Sequence, residues 1–165
     1  MLLRVWRFAT VMLAGLTLTM TSAHVLELPQ KMQYDAQMYS AVNTTLYRYF
    51  AVVGGAYTVS SILAAFVLAF LLRRRRQPFR LTLAGAICLL LAFGSWLILV
   101  APVNNEIAQA LATAPENVPL LWMQLRERWE YGHALGFIIT LTGFGLLVFS
   151  LLIEIPEHPS GDVEM

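Results

Sequence analysis

Four long apolar runs dominate this sequence and limit the folds open to it more than any other feature. They cover residues 8–28, 49–72, 81–101 and 131–155. An α-helix rises about 1.5 Å per residue, so about 20 residues cross the roughly 30 Å hydrocarbon layer of a bilayer, and every run is long enough. A helix also pairs its own backbone amides, as lipid requires, and no run alternates like a barrel strand. The sequence therefore predicts an all-α integral membrane four-helix bundle.

The composition excludes the main alternative classes. Hydrophobic residues make up 58% of the chain and charged residues 13%, whereas a soluble domain carries about 25% charged residues. The net charge of +1 gives little attraction to nucleic acid. Membrane lipid is the expected partner of a chain with these apolar runs. The middle of each run lacks ionisable residues, which disfavours an ion-coupled transporter. One cysteine, Cys88, rules out an internal disulfide.

Basic residues are concentrated at one end of the predicted bundle. Arg4 and Arg7 precede the first run, and five arginines lie within residues 73–80, between the second and third runs. The positive-inside rule then places both termini in the cytoplasm and both long connections outside. The second connection predicts a short interfacial helix, capped by Asn104. We expect residues 1–155 to form the bundle and residues 156–165 to form a disordered cytoplasmic tail.

The first 23 residues also admit a second interpretation. Two arginines, an apolar stretch and the small residues Thr21, Ser22 and Ala23 resemble a secretory signal peptide that is cleaved after Ala23. The apolar stretch continues to Leu28, which favours a membrane span. The sequence leaves open whether residues 1–23 are removed.

Two pairs of ionisable side chains at the outer ends of the runs form the candidate site. His24 and Glu27 end the first run, and Glu130 and His133 begin the fourth, and the members of each pair are three residues apart. That spacing puts both members on one helical face. Helix bundles hold iron or manganese with Glu-x-x-His pairs, and imidazole also suits zinc or copper. The sequence predicts these four residues as catalytic and as ligands of a single transition-metal ion, with no organic cofactor motif.

Four further side chains complete the predicted site. Asn104 and Asn105 are expected to bind substrate, Arg126 to neutralise an anionic substrate, and Trp129 to wall the pocket. The alternative is purely structural: Glu27 pairs with Lys31, and Glu130 pairs with Arg126 one turn away. The chain would then be a non-enzymatic membrane subunit or a lipid-interacting scaffold.

Several motifs together resemble a known family. They are HVLELPQK at residues 24–31, Leu46-Tyr47, PVNN at residues 102–105, and the pattern Arg126-x-x-Trp129-Glu130-x-x-His133. In this order they are similar to the anthrone-oxygenase-like family of small four-helix membrane proteins, most of which are classed as a domain of unknown function. The resemblance extends from residue 14 to residue 152.

The resemblance implies a small oxidoreductase that uses molecular oxygen on an apolar aromatic or quinone-like molecule, without a large organic cofactor. It also implies a bacterial inner-membrane location. Family members often carry an arginine shortly after the fourth-span histidine, whereas residues 135–137 of this chain are apolar. No role that depends on that arginine is carried over.

Overall fold

The computed structural model describes residues 1–154, apart from the side chain of Arg48, and these residues form six α-helices. The helices are α1 (Leu2–Lys31), α2 (Ala36–Thr45), α3 (Phe50–Leu72), α4 (Arg76–Leu99), α5 (Ala101–Thr113) and α6 (Val118–Leu152). Short 3₁₀ turns, Leu46–Tyr49 and Pro115–Asn117, precede α3 and α6. The predicted tail at residues 156–165 lies outside the described part of the chain.

Four stretches of helix are long and apolar enough to cross a membrane. They are α1, α3, α4 continued into α5, and α6 with its preceding turn. Large apolar side chains cover the outside of these helices; Leu63, Phe70, Ile98 and Ile138 are each more than half exposed. Soluble proteins rarely expose continuous apolar surface of this kind, whereas lipid accommodates it. The predicted all-α fold is confirmed for the described residues, and the four long apolar helices support a membrane bundle.

The four long helices form a ring. Helix α1 packs against α3 and α6, and α4 packs against the same two neighbours. We call the end at which α1 begins and α6 ends the Arg75 end, because Arg7 and Arg75 both form ion pairs there with Glu154. The opposite end, covered by α2 and α5, is called the His133 end.

Packing is tight at the Arg75 end and looser at the His133 end. The buried residues of α3 all lie between Ser61 and Leu72, and those of α4 all lie between Pro78 and Ala92. The first half of α3 and the last turns of α4 are therefore less enclosed. Open space remains inside the ring at the His133 end.

Two glycines allow α4 and α6 to touch. A Cβ atom added at Gly85 would lie 2.9 Å from the carbonyl oxygen of Gly143. A Cβ atom added at Gly143 would lie 3.0 Å from the carbonyl oxygen of Gly85. Both distances are shorter than an ordinary carbon–oxygen contact, so the helix backbones meet directly.

We expect the substitution Gly85→Leu to lower the free energy of unfolding by about 1–3 kcal/mol, because the new side chain forces the two helices apart. Thermal unfolding in detergent micelles measures the effect. Gly94→Leu, on the same helix, is the matched control, because nothing lies within 4 Å of a Cβ atom added there. Equal stability of the two variants would show that the helices do not meet at Gly85.

The connections differ from expectation in one detail. The predicted short helix exists as α5, but it begins at Ala101, so Asn104 lies inside the helix and does not cap it. Pro102 is in the first turn of α5, a position that proline favours because its missing amide hydrogen is not needed there. Asn104 is thereby free to project its side chain toward α6.

Candidate functional site

A cavity of about 280 Å³ lies inside the helix ring at the His133 end. Its wall is rich in aromatic side chains, namely Tyr47, Phe50, Phe93, Trp96, Trp122 and Trp129. Ligand pockets usually measure about 300–1,000 Å³ and combine apolar walls with a few polar groups. The size and lining therefore suit one small, mainly apolar molecule.

Two histidines from different helices stack at the cavity wall. The ring centroids of His24 and His133 are 3.9 Å apart, with 22° between the ring planes. Tyr47 stacks on the other face of His24 at 4.8 Å. The Trp129 ring meets both imidazoles edge-on, at 5.1 Å from His24 and 4.4 Å from His133. The antiparallel helices thus bring together the two imidazoles that the sequence placed at one end of the bundle.

A buried ion pair packs against this aromatic group. The Nζ atom of Lys31 lies 2.8 Å from Oε1 of Glu130, and their side chains are only 2% and 0% exposed. Nζ also lies 4.3 Å from the Trp129 ring centroid and 4.5 Å from that of Tyr47. Both rings contribute cation–π attraction. Tyr39 donates a hydrogen bond of 2.8 Å to the same carboxylate oxygen.

Helix α2 is fixed over this end of the bundle by polar contacts with α6. Burial, and then the Glu130 carboxylate, raise the pKa of Tyr39, so its hydroxyl stays protonated and donates to Glu130. Arg126 donates to the backbone carbonyl of Tyr34 at 3.1 Å and lies 5.6 Å from the Tyr39 ring centroid. The residues that cover the cavity are therefore held in place by α6.

Four of the eight predicted site residues line the cavity. They are His24, Asn104, Trp129 and His133. Trp129 donates from Nε1 to Oδ1 of Asn104 at 2.8 Å, which links α5 to α6 beside the histidines. Their predicted catalytic and substrate-binding roles remain predictions.

The other four predicted residues do not line the cavity. Glu130 is buried beside it, but pairs with Lys31 and not with Arg126, whose guanidinium binds the backbone of the α1–α2 connection. Glu27 and Asn105 are exposed. Glu27 lies about 60° from His24 around the α1 axis and is exposed, whereas Lys31, seven residues after His24, lies within about 20° of it and is buried. The face predicted to be shared by His24 and Glu27 is therefore shared by His24 and Lys31.

The predicted four-residue metal site is not assembled in this structure. Within residues 1–154, no group of three or more His, Cys, Asp and Glu side chains is arranged to hold a metal ion. Glu27 is exposed, and Glu130 is engaged by Lys31 and Tyr39. A metal ion binds an imidazole nitrogen in the plane of the ring, at about 2.0 Å. The rings of His24 and His133 are stacked in nearly parallel planes, so one ion cannot lie in both planes at that distance. We therefore derive no step through a metal.

Several residues that shape the site were not among the eight predicted site residues. They are Lys31, Tyr39, Asn43, Tyr47 and Trp122. Two periodicities would have found most of them. Polar residues recur every seven positions along α1, at Thr10, Thr17, His24 and Lys31, and all four are buried. Tyr39, Asn43 and Tyr47 recur every four positions and are buried as well.

The cavity extends to small residues on the exposed side of α3. Ala51 both lines the cavity and is exposed. Gly55, which also lines the cavity, has no atom within 4 Å of an added Cβ. On α4, Phe93 and Trp96 line the same cavity and stack at 6.2 Å. A small side chain thus stands where the cavity wall meets the surface of the bundle.

Comparison of the chain with protein-family models, with curated proteins and with solved structures finds no match. The fold and the site alone therefore define its class: a helical membrane bundle with an internal aromatic cavity and a paired-histidine wall.

Proposed function

We propose that this protein is a membrane oxidoreductase that oxidises a small apolar aromatic or quinone-like molecule inside the cavity. One observation carries the proposal: an aromatic-walled cavity of about 280 Å³ has two stacked histidines in its wall. Planar aromatic molecules pack well against aromatic walls. Imidazole is the side chain best suited to exchanging a proton near neutral pH.

The proposed chemistry follows the resemblance to anthrone oxygenases. Anthrone carries an acidic CH₂ group opposite its ketone. His133 accepts one proton from that carbon, and the electron pair delocalises onto the ketone oxygen. Molecular oxygen then oxidises the electron-rich anion. One oxygen atom becomes the new carbonyl and the other leaves as water, so that one anthrone and one O₂ give one anthraquinone and one water.

The proposed orientation places the Arg75 end in the cytoplasm of a bacterial cell and the cavity toward the outer face of the inner membrane. The clustered arginines at residues 73–76 support this orientation, because basic residues accumulate on the cytoplasmic side. The exposure of Ala51 on the cavity wall supports the choice of an apolar substrate. We propose that a molecule dissolved in lipid enters beside it.

The test is oxidation of anthrone by the purified protein in lipid nanodiscs, followed through anthraquinone formation and O₂ uptake. We expect one O₂ to be consumed for each anthraquinone formed, at a rate above that of empty nanodiscs. Gly136→Leu is expected to lower kcat/KM about tenfold or more, because Gly136 lines the cavity and has room for a side chain.

The matched control is Gly145→Leu, on the same helix but exposed and away from the cavity. It should leave the rate unchanged. Absence of anthraquinone above the nanodisc background, or an equal effect of both substitutions, would refute the proposal.

A second candidate function is a non-enzymatic membrane subunit or lipid-interacting scaffold. The observation in its favour is that polar groups at the His133 end pair with each other, as in the bonds from Lys31 to Glu130 and from Trp129 to Asn104. Such contacts pin helix ends without any ligand. In that case Gly136→Leu would change stability alone.

A further inference from the structure

Four polar atoms beside the cavity have no hydrogen-bond partner among the described residues. They are Nδ1 of His24, Oδ1 of Asn43, the hydroxyl of Tyr47 and Nε1 of Trp122. All four residues line the cavity. A buried polar group without a partner is unfavourable, and native proteins rarely keep several together. The four atoms are themselves buried, and the residues that carry them border one space, so a polar atom of a ligand in that space can become their partner.

The deeper wall of the same cavity is different. Thr17 and Thr58 each donate to the backbone carbonyl four residues earlier, at 3.0 and 2.8 Å, so their hydroxyls are satisfied within their own helices. Leu89, Ala92 and Phe93 complete this part of the wall with carbon surface. The cavity therefore has a polar end, formed by the residues with unpaired atoms, and an apolar end.

We propose that Asn43, Tyr47 and Trp122 bind the oxygen atom of a planar aromatic ketone or phenol whose hydrocarbon part fills the apolar end. The binding part of the inference rests on the proposed function in treating the cavity as the ligand site, and the effect on rate also rests on the proposed proton transfer to His133. Trp122 Nε1 is a donor, Asn43 Oδ1 is an acceptor, and the Tyr47 hydroxyl is either. A ketone oxygen accepts from Trp122 and Tyr47, and its enol form donates to Asn43. Each of these three atoms is buried in the structure, so the proposed binding includes side-chain rotations that turn them toward the ligand.

In this arrangement the two neighbours of His24 have different roles: Tyr47 binds the ligand oxygen and His133 accepts the proton. His24 lies between Tyr47 on one face and His133 on the other. When the C–H bond of the ligand breaks and its proton moves to His133, the electron pair moves to the ligand oxygen. Donors placed before the reaction stabilise such an oxyanion more than they stabilise the ketone. Tyr47 and Trp122 would thus contribute both to ligand selection and to rate.

The experiment compares anthrone with 9,10-dihydroanthracene, in which a CH₂ group replaces the ketone. Both are titrated under nitrogen, which prevents oxidation, against the protein in nanodiscs, with quenching of tryptophan fluorescence as the signal. We expect the parent to bind anthrone about tenfold more tightly, as two hydrogen bonds to one oxygen allow. Tyr47→Phe, Trp122→Phe and Asn43→Leu should each lower this preference about threefold, with the affinity for dihydroanthracene unchanged.

The preference is the ratio of two dissociation constants measured on one preparation. Partial unfolding of a variant affects both constants alike and cancels in the ratio. Tyr131→Phe, at an exposed tyrosine, is the matched control and should keep the parental preference. Gly136→Leu should weaken both ligands equally, because it fills the apolar end.

A parent that binds neither compound, or binds both equally, would overturn the inference, as would an unchanged preference in all three variants. A preserved preference without anthraquinone formation in air would leave the inference standing and refute the oxidoreductase. Anthraquinone formation by a parent protein that shows no preference for anthrone over dihydroanthracene would refute the inference and leave the proposed oxidoreductase standing.

Discussion

Replacing Glu130 by glutamine is expected to lower the free energy of unfolding by about 3–5 kcal/mol, because it leaves a buried lysine without its counter-charge. Lys31 is 2% exposed and surrounded by aromatic rings, so its ammonium group has no route to water without moving the cover of the cavity. Reversible unfolding in mixed micelles measures the loss.

The double variant Lys31→Met with Glu130→Gln distinguishes the loss of the ion pair from the free-energy cost of leaving one buried charge unpaired. Its destabilisation should be smaller than the sum of the two single effects, because both charges are then absent. Glu127→Gln, an exposed glutamate on the same helix, should change stability by no more than about 0.5 kcal/mol. Additive single effects would show that Lys31 and Glu130 do not interact in the folded protein.

Replacing His133 by phenylalanine is expected to lower kcat for anthrone oxidation about 100-fold or more, because the proposed proton acceptor is lost. The phenyl ring keeps the stack with His24 and the contact with Trp129, so the cavity retains its shape. The dissociation constant of anthrone, measured under nitrogen, should stay within about threefold of the parental value.

His24→Phe distinguishes the two imidazoles. His24 is more deeply buried and packs against the ring of His133. Because His133 is the proposed proton acceptor, His24→Phe should lower kcat less than His133→Phe does. Full activity of His133→Phe would remove His133 from the reaction. Equal, severe losses in kcat and in anthrone binding for both variants would indicate a role in packing alone.

The long helices could be predicted because a chain that crosses lipid must pair its backbone amides internally, and an α-helix does so within each span. Their ends lie beyond the apolar runs. The fourth apolar run starts at residue 131, whereas α6 starts at Val118, and Pro119, a residue type favoured in the first helical turn, marks that start in the sequence. Arg126, Glu127 and Arg128 interrupt the apolar pattern but not the helix, because charged residues are tolerated where a helix leaves the hydrocarbon layer.

The site could be predicted in part. Antiparallel helices bring the end of the first span and the start of the fourth to the same end of the bundle, and the packing of α1 against α6 then makes His24 and His133 neighbours, as expected. The partner of Glu130 was wrong in the structural alternative, because Arg126 is near in sequence whereas Lys31 is near only in the folded bundle. The position of α2, which brings Tyr39 and Asn43 over the cavity, depends on tertiary contacts that local patterns do not contain.

The exposed position of Ala51 on the cavity wall changes what substrate concentration means for the proposed reaction. A reactant that enters from the hydrocarbon layer is sampled at its mole fraction in lipid, and the amount per volume of buffer has little influence. Adding protein-free vesicles to a fixed quantity of reactant would then slow turnover by dilution within the lipid. Kinetic constants of the proposed oxidoreductase would then belong to the membrane in which they were measured.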